Sequence, residues 1–123
     1  MLYADSSALV KLVIEEPESR ALERYLEDQP VLATSRIALV EVRRATALAN
    51  PAAEVQREGE RLLASCMLVN VTDRVLRAAA NLTSRTVRTL DAIHLASALQ
   101  IDPDELFNSG RAWGISVLRE RAD

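Results

Sequence analysis

Three acidic residues occupy positions where a carboxylate could either bind a ligand or serve the local structure. Asp5 ends the apolar run "MLYAD", Glu41 lies within "SRIALVEVRRATALAN", and Asp91 lies within "RTLDAIHLASAL". Aspartate is a poor strand residue and a good helix cap, so Asp5 is equally consistent with the cap of a helix that starts near Ser7. The surroundings of each acid must decide between the two roles.

Glu41 falls on a face of its predicted helix that is otherwise apolar, formed by Ile37, Ala45 and Leu48. A buried carboxylate needs a partner because an unpaired charge is costly to remove from water. An ion pair with Arg44 or Arg85 would give Glu41 a purely structural role. Coordination of a cation is the functional alternative.

Asp91 shares a face with Leu95 and Ala98 on a helix whose apolar positions nearly surround it. An acid in the first turn, after a cap at Thr89, interacts well with the helix dipole, so Asp91 alone is as consistent with a structural role as with a functional one. His94 lies three residues further on. A single histidine on a mostly apolar helix is more typical of a hydrogen-bonded packing residue than of a metal ligand.

Strands and helices alternate along most of the chain. Strands are predicted at 1–5, 31–34, 66–71, 105–107 and 115–118, and helices at 7–14, 18–28, 35–50, 51–65, 72–85 and 89–99. Strands separated by helices indicate a parallel sheet that is covered on both faces. Ligands of such sheets bind beyond the carboxyl ends of the strands, and Asp5 is predicted at that edge.

Length and composition limit the class of protein. The 123 residues suit a single domain, 1–123, that is large enough to bury a core without disulfides. The single cysteine, Cys66, cannot form an internal disulfide, and neither a signal peptide nor a membrane-spanning run is visible, so we expect a cytoplasmic protein. The net charge of −3 weighs against a uniformly basic surface that coats nucleic acid.

If the three carboxylates converge in the fold, their mutual repulsion calls for a cation. Oxygen ligands favour Mg²⁺ or Mn²⁺, whereas zinc would call for the cysteine and histidine clusters that this sequence lacks. The spacing of the acids is weak support by itself, because acids are often distributed in this way by chance.

Three stretches resemble the VapC-type toxins of bacterial toxin–antitoxin pairs, which are PIN-domain ribonucleases. The stretches are "LYADSSALVKLVIEEPES", "ATSRIALVEVRRA" and "RTLDAIHLASAL", and their order and spacing cover most of the chain. The resemblance implies a three-layer α/β/α fold with a mainly parallel central sheet of four to five short strands.

The same resemblance implies a function and a set of site residues. Asp5, Glu41 and Asp91 would hold Mg²⁺ or Mn²⁺ and support endonucleolytic cleavage of RNA, and Ser7 would hydrogen-bond a carboxylate or a water on the metal. The protein would form a homodimer and would be held inactive by a cognate VapB-type antitoxin.

One segment departs from the family pattern. The family usually has a further acid at the end of a late strand, but Asn108 and Ser109 stand where that acid is expected. The link between the predicted strands, from Phe107 to Ile115, is also shorter than the dozen or more residues that join parallel neighbours. We therefore predict that a stretch carrying the late acid is missing from the sequence here, the alternative being a true deletion.

Two other functions fit parts of the sequence. In a phosphotransferase of the haloacid-dehalogenase kind, the strand-end aspartate is the nucleophile, but a second aspartate is required where Ser7 stands, and Lys11 is the only lysine. A PIN domain that has lost catalysis, and that binds antitoxin or RNA without cleaving it, is the stronger alternative because the late acid is absent.

Overall fold

The computed structural model describes residues 1–14, 31–82, 87–108 and 111–114, the last few of them, 107, 108 and 111–114, by their backbone alone. The described strands are β1 (Leu2–Ala4), β2 (Leu32–Ser35), β3 (Met67–Val69), β4 (Glu105–Asn108) and β5 (Arg111–Gly114). The described helices are α1 (Ser6–Val13), α2 (Ala38–Ala49), α3 (Ala53–Ser65), α4 (Asp73–Ala80) and α5 (Thr89–Ile101).

The strands form one sheet in the order β3-β2-β1-β4-β5. The pairs among the first four strands in this order are parallel, and β5 runs antiparallel to β4. The sheet is therefore mainly parallel and has five short strands, which confirms the predicted fold class.

Helices cover both faces of the sheet. Side chains alternate along β1, so successive residues of this strand pack against opposite helical layers. Leu2 and Ala4 pack with α1, α2 and α3 in one apolar cluster. Tyr3 belongs to the cluster on the opposite face, where Ala98 of α5 is also buried, and α4 packs against α5. These contacts give the three layers of the α/β/α arrangement.

The strand order places a crevice beside β1. The chain passes from β1 to β2 and β3 on one side, and then crosses to enter β4 on the other side of β1. In open parallel sheets, ligands bind at such a reversal, beyond the carboxyl ends of the two strands. Asp5 directly follows β1 at this point.

The direction of β5 corrects one prediction. The predicted strand at 115–118 lies outside the described residues, and the strand observed at 111–114 is antiparallel to β4. Antiparallel neighbours can be joined by two residues, as they are here by residues 109–110, so no long crossover is needed between them. The pairing of β4 with β5 therefore gives no physical reason for a missing stretch between these two strands.

Several helix starts also differ from the predictions. Thr72, at the predicted start of the helix at 72–85, caps α4 and accepts from the backbone N–H of Val75 at 3.2 Å. Ser35, the predicted first residue of the helix at 35–50, is instead the last residue of β2. Thr89 is the first residue of α5 and not its cap, and the residue before it, Arg88, makes no side-chain cap. The predicted helix at 18–28 and the predicted end of α4 near Arg85 lie outside the described residues.

The buried face of α2 is not the predicted one. The buried residues are Ala38, Val42 and Thr46, whereas Leu48 is 84% exposed. The Thr46 hydroxyl donates to the Val42 carbonyl at 2.8 Å, which satisfies a polar group in this packed position. The packing of α2 against α1 and α3 thus selects a neighbouring stripe of the helix, and Leu48 is left on the surface.

No helix in the described part of the chain combines the length and the apolar character needed to cross a bilayer.

Candidate functional site

Asp5 lies between β1 and α1 and is only 4% exposed. Its Oδ1 accepts from the backbone N–H of Ala8 at 3.0 Å and from the Ser7 hydroxyl at 2.8 Å. The first contact makes Asp5 the N-cap of α1. The second is a hydrogen bond from Ser7 to a carboxylate, which is one of the two roles that the family resemblance implies for Ser7. The capping role and a position at the sheet edge are thus combined in one side chain.

The environment of Asp5 disfavours its charged form. Burial raises the pKa of Asp5, and the negative charge of Asp91 raises it further, whereas the hydrogen bonds from Ala8 and Ser7 and the proximity of His94 act in the opposite direction. Burial dominates, so the pKa lies above its ordinary value. Asp91 itself is exposed in the first turn of α5, close enough to act on Asp5 electrostatically.

Glu41 lies in the first turn of α2, with a side chain that is 25% exposed. Its Oε1 accepts from the Ser6 hydroxyl at 2.7 Å and lies 2.9 Å from His94 Nε2. The hydrogen bond from His94 is the largest cause that holds the pKa of Glu41 below its ordinary value, and the bond from Ser6 adds to it against the effect of burial. Among the described residues, the hydrogen-bond partners of Glu41 are thus Ser6 and His94. Arg85, one of the two arginines considered as its partner, lies outside the described residues.

His94 is buried and connects the two helical layers across the end of β1. Its Nδ1 lies 2.7 Å from the Tyr3 hydroxyl, and its Nε2 lies 3.1 Å from Ser6 Oγ. The Tyr3 ring meets the imidazole edge to face, with ring centroids 5.8 Å apart. Burial raises the pKa of Tyr3 well above its usual range, so the phenol keeps its proton.

Sequence reasoning assigned no site role to Ser6 or Tyr3, and it treated His94 as a packing residue. His94 is indeed buried and hydrogen-bonded, but its partner is Glu41, one of the candidate acids. The available signal was proximity: Tyr3 and Ser6 flank Asp5, and His94 lies one turn beyond Asp91. Which of these neighbours meet depends on where the fold places α2 and α5 around the end of β1, which the local pattern does not specify.

The three candidate acids surround the crevice without forming one compact group. The charge of Asp91 acts on Asp5, and Glu41 is hydrogen-bonded to His94. No group of three or more metal-binding side chains occurs among the described positions. Mg²⁺ is usually held by one or two carboxylates and keeps several waters, so it needs no compact protein cage. The carboxylate oxygens of Asp5, Asp91 and Glu41 are thus ligands of the kind that a hard divalent cation prefers.

The profile of the PIN domain family matches residues 2–106. The chain therefore belongs to the PIN domain family. It is 45% identical over 103 residues to Ribonuclease VapC46 of Mycobacterium tuberculosis (strain ATCC 25618 / H37Rv), an alignment that covers 84% of this chain and 78% of that protein. It is 38% identical over 105 residues to Ribonuclease VapC47 of Mycobacterium tuberculosis (strain CDC 1551 / Oshkosh), covering 82% of this chain and 76% of that one.

Proposed function

We propose that this protein is an endoribonuclease toxin that depends on Mg²⁺ or Mn²⁺, acts on RNA in the cytoplasm, and is neutralised by a VapB-type antitoxin. The observation that carries the proposal is Asp5, a buried carboxylate at the carboxyl end of the central strand whose pKa is raised by burial and by Asp91. A cation would relieve both effects. Membership of the PIN domain family and the VapC ribonucleases among the relatives support the choice of RNA as substrate.

Each acid has a distinct part in the proposal. Asp5 and Asp91 would hold the cation from β1 and from α5, and Glu41 would approach it from α2. Ser7 would orient Asp5 through the hydrogen bond to Oδ1. When bound, a divalent cation supplies the positive charge that positions an RNA phosphate, activates a water and offsets the charge developing during displacement.

The test is cleavage of labelled RNA by the purified protein with Mg²⁺ or Mn²⁺, compared with Asp5→Asn and Asp91→Asn. Asparagine is as good an N-cap as aspartate, so Asp5→Asn retains the start of α1 while weakening cation binding. Asp73→Asn is a matched control, because Asp73 is also an exposed first-turn aspartate, on α4. Full activity in excess chelator, or undiminished activity in Asp91→Asn, would contradict the metal mechanism.

We propose a homodimer and a small antitoxin as the protein partners. Both would cover apolar surface, and α2 exposes Val40 and Leu48, which are 61% and 84% exposed. Co-purification with an antitoxin encoded beside this protein, and loss of RNA cleavage in that complex, would support this part of the proposal. Unchanged cleavage in the complex would contradict neutralisation.

A PIN domain that binds RNA without cleaving it is the second candidate. It is favoured by the end of β4, where Asn108 occupies the position at which the family usually has a further acid. Retention of RNA in a filter-binding assay, with no cleavage in either metal, would select this alternative.

A further inference from the structure

We propose that His94 is a positioning residue that fixes the orientation of the Glu41 carboxylate, and that Tyr3 in turn fixes the imidazole of His94. The inference rests on the proposed function, because it takes Glu41 to act in the metal site. Its basis is a continuous set of hydrogen bonds, buried or partly buried, from Tyr3 on β1 to His94 on α5 and on to Glu41 on α2.

Both recorded hydrogen bonds of Glu41 involve the same oxygen. Ser6 Oγ donates to Oε1 at 2.7 Å, and His94 Nε2 lies 2.9 Å from Oε1. Two donors on one oxygen fix the plane of the carboxylate and leave Oε2 unengaged by either of them. A carboxylate held in this way presents a defined oxygen, whereas a glutamate on a helix surface samples several rotamers.

The partners of His94 determine which ring nitrogen carries a proton. An ionised carboxylate only accepts, so Nε2 must be the donor to Glu41. In the uncharged ring, Nδ1 then accepts from the Tyr3 hydroxyl, whose oxygen lies 2.7 Å away. Tyr3 thus selects the tautomer that presents an N–H to Glu41.

The burial of Tyr3 and His94 makes these bonds hard to replace. Tyr3 is fully buried and His94 nearly so, which removes most competition from water. The ring of Tyr3 also contacts the imidazole edge to face, so β1 fixes the ring by packing as well as by hydrogen bonding. If His94 only filled space, it would need neither the hydrogen bond to the Tyr3 hydroxyl nor an N–H facing Glu41.

The first experiment tests the geometry in the metal-free protein. His94 is the only histidine of the chain, so labelling with ¹⁵N-histidine gives a one-residue imidazole spectrum. We expect a proton on Nε2, and we expect Glu41→Gln or Tyr3→Phe to change the ring ¹⁵N shifts strongly while Thr46→Val leaves them unchanged. Thr46 is a suitable control because it is buried on the same helix as Glu41 and its hydroxyl donates to backbone carbonyls of that helix. An unprotonated Nε2 would overturn the proposal.

The second experiment measures Mn²⁺ affinity by calorimetry, with folding checked by circular dichroism. Removing a residue that orients a metal ligand typically lowers affinity about 10- to 100-fold, and we expect a loss in this range for His94→Ala. Tyr3→Phe should lose less Mn²⁺ affinity than His94→Ala. His94→Gln should have a higher affinity than His94→Ala, because the glutamine amide is also a hydrogen-bond donor. Thr46→Val should bind Mn²⁺ as the wild type does.

The two experiments separate the failure of this inference from failure of the proposed function. Wild-type affinity in folded His94→Ala and Tyr3→Phe would overturn the positioning role and leave the metal site standing. A wild-type protein that binds no Mn²⁺ would contradict the proposed function, and the imidazole spectrum would still decide whether His94 holds Glu41.

Discussion

Asp5 and Glu41 are both acids at the same crevice, yet their surroundings affect their charged forms in opposite ways. Asp5 is buried with hydrogen bonds that do not offset the cost of burial, so its pKa is raised. Glu41 is partly exposed and accepts from His94 and Ser6, so its pKa is lowered. Simple repulsion among acids predicts that neutralising either one stabilises the metal-free protein. The structure instead predicts that neutralising Asp5 stabilises the metal-free protein and that neutralising Glu41 destabilises it.

Asp5→Asn should stabilise the metal-free protein at neutral pH by on the order of 1 kcal/mol. An acid with a raised folded-state pKa contributes stability that is present below its unfolded pKa and is lost as pH rises through the folded value. Asparagine keeps the cap and avoids this loss. Urea unfolding in chelator at neutral and acidic pH measures the effect. A variant less stable than the wild type at neutral pH would show that the ionised form of Asp5 is structural.

Glu41→Gln should instead lower stability at neutral pH. The lowered pKa of Glu41 means that its contribution is present above its unfolded pKa and is lost as pH falls through the folded value. The difference between variant and wild type should therefore shrink in acid. Glu54→Gln is the control, since Glu54 is an exposed first-turn acid on α3. A variant that is as stable as the wild type across this range would contradict the hydrogen bonds to His94 and Ser6.

At the level of helices and strands, the local pattern predicted much of the fold. The central strand before Asp5 and the cap at Thr72 follow from residues that are neighbours in sequence. The buried face of α2 does not, because it depends on packing against β1 and α1, which lie far from α2 in the sequence. The direction of β5 was missed for another reason: its residues, 111–114, were predicted as part of a link and not as a strand. Glu41 was identified as a candidate from its apolar surroundings, whereas its contact with His94 joins residues 53 positions apart.

Asn108→Asp should strengthen Mn²⁺ binding. Ala4 is paired with Phe107 in the parallel register of β1 and β4, so Asp5 and Asn108 follow at the same edge of the sheet. A carboxylate there would add an oxygen donor and negative charge at the crevice. Calorimetry with Mn²⁺ measures the gain, with Asp104→Asn, an exposed acid at the other end of β4, as the control. Unchanged or weaker binding would show that the end of β4 is not part of the site.

At the level of the whole molecule, Leu48 is the large apolar side chain most exposed among the described residues. If α2 contributes to the proposed homodimer, Leu48→Ser should shift the protein towards monomers at micromolar concentration without lowering its stability, because the side chain loses no internal packing. Light scattering measures the mass. Leu76→Ser, on α4 in the other helical layer, is the control. A wild-type monomer at this concentration would contradict the dimer.

The pairing of β1 with β4 also fixes when the crevice can exist. The wall of the crevice beside Asp5 is formed by β1 and β4, whose parallel register pairs Leu2 with Glu105. This wall therefore cannot form before β4 has been synthesised. Contacts between distant segments form late, because a long loop must close before they are made. On the ribosome, where a chain emerges from its N-terminus, Asp5 is synthesised early but remains without this neighbour until β4 has left the exit tunnel. Until β4 has emerged, a nascent chain therefore carries Asp5 without the opposite wall of the crevice, and the candidate site stays incomplete.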